Sequence, residues 1–163
     1  MRWTVHGETV LYESPWVALH PADVELPDGR RRDHHLVRLP APAAGVVVID
    51  PGRGVLPLGR HRFITDGWGW EIPAGRVEAG ESIPVGAARE VEEETAWRPG
   101  PLRPLTAYHP SNGLSDQTFH LFAASGCCRD TFEPRGHGAQ THSLSPLSRT
   151  CRSASRPPIN RGP

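Results

Sequence analysis

The densest run of acidic side chains in the chain lies within Arg89-Glu90-Val91-Glu92-Glu93-Glu94. On a helix, at about 100° per residue, Glu90 and Glu94 stack one turn apart along one edge, with Glu93 beside them. Like charges so placed repel one another. The arrangement becomes favourable when a hard divalent cation, Mg²⁺ or Mn²⁺, lies between the carboxylates. Taken alone, a glutamate-rich helix is more often a solvated acidic face, which would suit a plain interaction domain. The segment just before it shifts the balance. Gly75-Arg76-Val77-Glu78-Ala79-Gly80-Glu81 is a glycine-containing loop that can bend backbone carbonyls towards the same ion.

The elements that must position these residues follow from periodicity. A helix is expected from about Ser82 to Ala96, with Ser82 at its N-cap, Pro84 tolerated in the first turn and Pro99-Gly100 beyond its end. Ile83, Pro84, Ala87, Ala88 and Val91 fall on one arc, the expected buried face. Gly45-Val46-Val47-Val48-Ile49-Asp50, closed by Pro51-Gly52, is the clearest strand, and a second edge is expected over Val55–Leu58. Gly69–Ile72 runs as a strand into Pro73-Ala74-Gly75. Extended runs over Leu102–His109 and Gln117–Ala124 flank the turn Pro110-Ser111-Asn112-Gly113, and Pro27-Asp28-Gly29 marks a turn among short strands over residues 8–38. Strands on both sides of a single helix predict a mixed α/β sandwich.

The chain has 163 residues, 18 acidic and 18 basic, for a formal net charge of zero. Every acid lies at or before Glu133, so residues 1–133 form a mildly acidic body that does not suit nucleic acid, and the remainder is basic. No stretch is long and apolar enough for a membrane span, and no secretory leader is evident at the start, so a cytoplasmic protein is the default expectation. Three cysteines, Cys127, Cys128 and Cys151, match neither a disulfide framework nor a zinc site. The expected organisation is an N-terminal strand region (1–40), a central domain (41–133) and a tail (134–163) rich in Ser, Arg and Pro. That tail offers little apolar surface to offset its ordering entropy.

Gly75, five residues, Glu81, seven residues, then Arg89-Glu90-Val91-Glu92-Glu93-Glu94-Thr95-Ala96-Trp97 resembles the signature of the Nudix hydrolases. Each defining position matches except the last glycine, which is Ala96 here. The flanks Arg60-His61-Arg62, Trp70-Glu71-Ile72-Pro73-Ala74-Gly75 and Ser111-Asn112-Gly113-Leu114-Ser115-Asp116 look like the ADP-ribose pyrophosphatase branch. The resemblance implies a Nudix α/β/α sandwich with an N-terminal antiparallel strand region and a homodimer formed through those strands. It also implies Mg²⁺-dependent (or Mn²⁺-dependent) hydrolysis of a nucleoside diphosphate linked to another group, such as ADP-ribose. The implied metal ligands are Glu90, Glu93 and Glu94 with the Ala74 carbonyl, and Arg89, Glu93 and Glu94 are implied in catalysis. Glu81 would brace the loop, and Arg62 and Glu71 are the expected substrate-binding residues. Trp68 and Trp70 would serve as core or dimer contacts, or stack a nucleobase.

The family pattern carries an acidic loop after the strand at Gln117–Ala124, and it supplies the glutamate that deprotonates the attacking water. Glu133 is the residue expected there, with Asp130 nearby. Beyond it the chain departs from the pattern of a last strand and closing helix. The C-terminal end is therefore expected to be incomplete or disordered, and a catalytically impaired or regulatory nucleotide-binding protein is the alternative reading.

Overall fold

The computed structural model describes residues 1–52 and 54–125, together with the backbone of a short strand at Cys128–Arg129. Glu133, Asp130, Cys127, Cys151 and the expected tail lie outside the described residues, as does any closing strand and helix beyond Arg129.

The N-terminal region is an antiparallel sheet. Strands β1 (Thr4–Glu8) and β2 (Tyr12–Glu13) share one edge of β3 (Ala18–Glu25), and β4 (Arg31–Arg38) pairs along the other. The expected turn at Pro27-Asp28-Gly29 joins β3 to β4, with Gly29 at φ 84°, a conformation that a side chain would strain. Arg38 ties this sheet to the rest of the chain. Its guanidinium donates to both oxygens of Glu8, at 3.0 and 2.6 Å, and to Asp116 at 3.3 Å, while Asp116 also accepts from the Leu39 N–H at 2.9 Å.

The central sheet is mixed. Strand β5 (Ala43–Asp50) runs parallel to β12 (Phe119–Ser125), which in turn pairs antiparallel with β11 (Arg103–Tyr108). The opposite edge of β5 is shared by β6 (Gly54–Val55) and β9 (Ala74–Arg76), both antiparallel to it. Strand β5 is apolar along nearly its whole length because it is central and covered. The edge expected over Val55–Leu58 is instead two pieces. Strand β6 ends at Val55, and Leu58 opens β7 (Leu58–Arg62), which forms a separate hairpin with β8 (Gly67–Glu71). A last pair joins β10 (Trp97–Arg98) to β13 (Cys128–Arg129).

Helix α1 (Ile83–Thr95) lies against one face of the central sheet, where Ala44, Val46, Val48, Val77, Ala87, Val91, Phe122 and Ala124 form the core. The arc expected from the sequence holds at Ala87 and Val91, but Pro84 is exposed, and Gly86 and Thr95 are buried instead. Small residues on this face let the helix approach the sheet closely. Ser82 stands at the N-cap in an extended conformation without a side-chain cap bond. At the other end Thr95 Oγ1 donates to the Val91 carbonyl at 2.5 Å and accepts from the Trp97 N–H at 3.0 Å, closing the last turn. Among the described residues this is the only α-helix, so one helical layer of the expected sandwich is in view.

Ala96 is the C-cap, at φ 56° and ψ 22°, with its N–H bonded to the Glu92 carbonyl. This left-handed position is where the family signature places glycine. A Cβ there is strained, and the strain sits in the cap rather than in the acidic face. Replacing Ala96 with glycine is expected to stabilise the fold by about 1 kcal/mol, raising the thermal midpoint by a few degrees. A midpoint that stays put or falls contradicts this account of the cap.

Candidate active site

The site begins where β9 ends. The Val77 N–H bonds to the Pro42 carbonyl at 3.0 Å, which pins the loop's first residue to the start of β5. The loop then turns through Gly80 at φ 85°. Glu81 folds back on it, accepting from the Glu78 N–H at 2.6 Å. That carboxylate lies against the first turn of α1, where a Cβ on Gly86 would stand only 2.6 Å from its Oε1.

Arg89 gathers loop and helix together. Its Nη2 donates to Glu81 Oε1 at 2.8 Å and to the Arg76 carbonyl at 2.9 Å, and its Nε reaches Glu81 Oε2 at 3.3 Å. Its Nη1 donates to Glu90 at 2.9 Å and to Glu93 at 3.1 Å. The Arg89 hydrogen bonds, helped by the Glu78 N–H, hold the Glu81 carboxyl below the usual glutamate range. Glu90 goes the other way. Burial pushes its carboxyl up against the pull of Arg89, and the negative charges of Glu94 and Glu93 add to the rise. Burial therefore favours a Glu90 with its charge matched by a nearby cation.

Glu90 and Glu94 are tucked in, with side chains 13% and 14% exposed, while Glu93 is 50% exposed. Glycine at position 75 makes the first of these possible, since a Cβ there would stand 2.2 Å from the Glu90 carboxylate. Glu94 lies beside it, its Oε2 accepting from the Ala74 N–H at 3.2 Å and its Oε1 from Arg60 Nη2 at 2.6 Å. The contact with Ala74 thus runs through its N–H. Among the described residues no group of three or more His, Cys, Asp and Glu side chains is disposed to hold a metal ion. The guanidiniums of Arg89 and Arg60 occupy oxygens of Glu90, Glu93 and Glu94 instead.

The other expected residues are placed around this centre. Arg62 on β7 and Glu71 on β8 pair with each other, Nε to Oε1 at 2.8 Å, which holds Glu71 below its usual range. Trp68 and Trp70 on β8 are 68% and 67% exposed, so neither belongs to this chain's core. Sequence reasoning named Arg60 only within a flanking motif and gave it no role, although it sits two residues from Arg62 on the same strand face. Nor did it give one to Arg76, whose guanidinium lies 4.5 Å from the ring of Trp16 and donates to the Pro15 carbonyl at 3.2 Å. The Ser111–Asp116 segment, expected as a flank of the site, is fastened to β4. Val37 N–H bonds to the Leu114 carbonyl at 2.8 Å, and His34 Nε2 lies 3.1 Å from the Gly113 carbonyl.

The three atoms nearest to a Cβ at Gly75 all belong to the Glu90 carboxylate, the far end of a side chain, and the backbone there is not left-handed. Gly75→Ala is thus expected to leave the thermal midpoint within a few degrees of wild type while displacing Glu90. Mn²⁺ binding, followed by calorimetry, should weaken by roughly 10–100-fold, the range for disturbed support of a metal ligand. Unaltered Mn²⁺ affinity would show that Glu90 has no part in holding the ion.

Comparison with known proteins bears on the same residues. A NUDIX domain model matches residues 39–148, running past Glu133, and a nucleoside diphosphate sugar hydrolase N-terminal domain model matches residues 3–37. The chain is 46% identical over 126 residues to the CMP-5′-(N-acetyl-N-hydroxy-3-aminopropyl)phosphonate hydrolase of Streptomyces rubellomurinus, covering 77% of this chain and 61% of that protein. It is 33% identical over 114 residues to the ADP-ribose pyrophosphatase of Bacillus subtilis, covering 70% of this chain and 61% of the relative. The chain thus spans about three fifths of the length of both relatives. A crystal structure of an ADP compounds hydrolase shares the fold, with a TM-score of 0.73 at 18% identity over 83% of this chain and 74% of that one. The domain model spans the acidic helix, its loop and the sheet that carries them, and the chain belongs to the Nudix hydrolase family.

Proposed function

We propose that this chain hydrolyses, with Mg²⁺ or Mn²⁺, the diphosphate linkage of a nucleoside diphosphate joined to another group, ADP-ribose or a related nucleotide sugar, releasing a nucleoside monophosphate. The observation that carries the reading is the seating of the Glu90 carboxylate on Gly75, in space that any side chain at position 75 would fill. The donor chemistry, carboxylate and carbonyl oxygen, suits a hard divalent cation, although the arginine-paired side chains do not converge as a metal-holding group of three among the described residues. Glu90 and Glu94 supply part-buried carboxylate oxygens beside the backbone of Ala74 and Gly75, and Glu93 adds a third with access to solvent. Glu90, Glu93, Glu94 and the Ala74 carbonyl are the residues that would hold the ion. When bound, it would supply Lewis-acid charge at the diphosphate and lower the pKa of a coordinated water.

The chain's own side chains have separate work. Arg89 fixes the directions of Glu90 and Glu93 against the loop, so their carboxylates need little reorganisation on binding. Arg62 is exposed and pairs with Glu71 along the hairpin, and its planar fork suits a diphosphate oxygen. Glu71 holds that fork ready. Glu133 is the residue proposed to take the proton from the attacking water. Supporting the substrate class are the relatives named for ADP-ribose and for a CMP-linked phosphonate. The higher identity to the second makes a cytidylyl phosphonate the other substrate to try. Exposed Val5, Leu11 and Tyr12 on the N-terminal sheet support a homodimer through that region.

Product release is the test. Incubated with Mg²⁺, the protein should release AMP from ADP-ribose, or CMP from a cytidylyl phosphonate, and Glu94→Gln should reduce the rate on the order of 10²-fold or more. Nucleotide bound without product would favour a non-catalytic, nucleotide-binding role, and turnover undiminished in Glu94→Gln would rule out this site. Light scattering should give twice the chain mass, and Leu11→Glu should reduce it towards one. A monomeric wild-type protein would end the dimer proposal.

A further inference from the structure

Arg60 does something that the family signature does not require. Its Nη2 lies 2.6 Å from Glu94 Oε1, with both side chains largely enclosed, at 19% and 14% exposed. The other Glu94 oxygen accepts from the Ala74 N–H, so both are engaged. Arg62, two residues along β7, is committed to Glu71. The hairpin therefore delivers two guanidiniums to the rim of the site, and only that of Arg60 rests on a carboxylate read above as a metal ligand. A guanidinium and a divalent cation compete for the same lone pairs, and a part-buried ion pair is screened far less than an exposed one.

We propose that Arg60 is a positioning residue that holds the Glu94 side chain aimed in the metal-free protein and yields it when a divalent cation binds. This rests on the reading of Glu94 as a ligand. The exchange leaves the Arg60 cation beside the site, where it meets the anionic substrate. Cation binding and diphosphate binding thereby reinforce one another, since releasing Arg60 from Glu94 makes it available to phosphate oxygen.

The experiment is a titration of the full chain with Mn²⁺ alone, with free ion counted by electron paramagnetic resonance. Arg60→Gln should bind Mn²⁺ about fivefold more tightly than wild type, the factor expected from losing a competing ion pair. Arg60→Lys, which keeps the charge, should stay within about twofold. Arg62→Gln removes an equal charge that does not rest on Glu94, and it too should change little. Equal tightening in Arg60→Gln and Arg62→Gln would reduce the effect to a general field and overturn the exchange. So would unchanged or weakened binding in Arg60→Gln when Glu94→Gln abolishes it, which would leave the metal reading standing. Binding that survives Glu94→Gln would instead remove the reading on which the proposal rests. Arg60→Met gives the same comparison should the glutamine variant unfold, and failure of both to fold would make Arg60 a structural residue and end the proposal.

Discussion

The geometry of the candidate site depends on one guanidinium. Arg89 joins a loop carbonyl, a loop carboxylate and two helix carboxylates that would otherwise repel each other. An arginine suits this place because its planar fork can address several oxygens in fixed directions, which a lysine ammonium cannot. Around it the backbone has been cleared. Glycine at 75 admits Glu90, and glycine at 86 admits Glu81 against the helix. The acidic run is thereby turned from a solvated stripe into a set of part-buried oxygens with defined aims.

The sheet fixes where this assembly stands. Because β9 hydrogen-bonds to the first residues of β5, the loop starts beside the most buried strand among the described residues, and α1 packs over the same strand. Loop and helix are thus held against a common core, and their relative position does not depend on the surface. The β7–β8 hairpin leads into β9 and brings Arg60 to Glu94 from the other side. Further out, Trp16 lies under the Arg76 guanidinium, and Arg38 links Glu8 to Asp116, so the N-terminal region is tied both to the end of β9 and to the Ser111–Asp116 segment.

Much of this could be read in the residues. The helix, β5 and the two strands after the helix carry strong periodic signals, and the signature fixes Glu81, Arg89 and the glutamates by spacing alone. The substitution at position 96 was also legible as a matter of helix ending. What could not be read depends on long-range contact. Nothing in the local pattern says that Leu58 starts a new strand, that Pro84 faces solvent, or that Trp68 and Trp70 stay outside this chain's core. Arg60 looks like any strand arginine until the hairpin folds it onto a residue more than thirty positions away, at Glu94. Partners of that kind are set by the fold.

On the proposed reading, charge balance gives the site two states. Without an ion, Arg89 and Arg60 pair with the helix carboxylates, and burial still pushes the Glu90 carboxyl up. With one, the same oxygens turn to a smaller and more highly charged partner. The most direct test is diffraction from crystals soaked in Mn²⁺, with data collected to locate the ion by its anomalous signal. A peak bounded by Glu90, Glu94 and the Ala74 carbonyl is the result this account predicts. A strong peak elsewhere, with Arg60 still seated on Glu94, would contradict it.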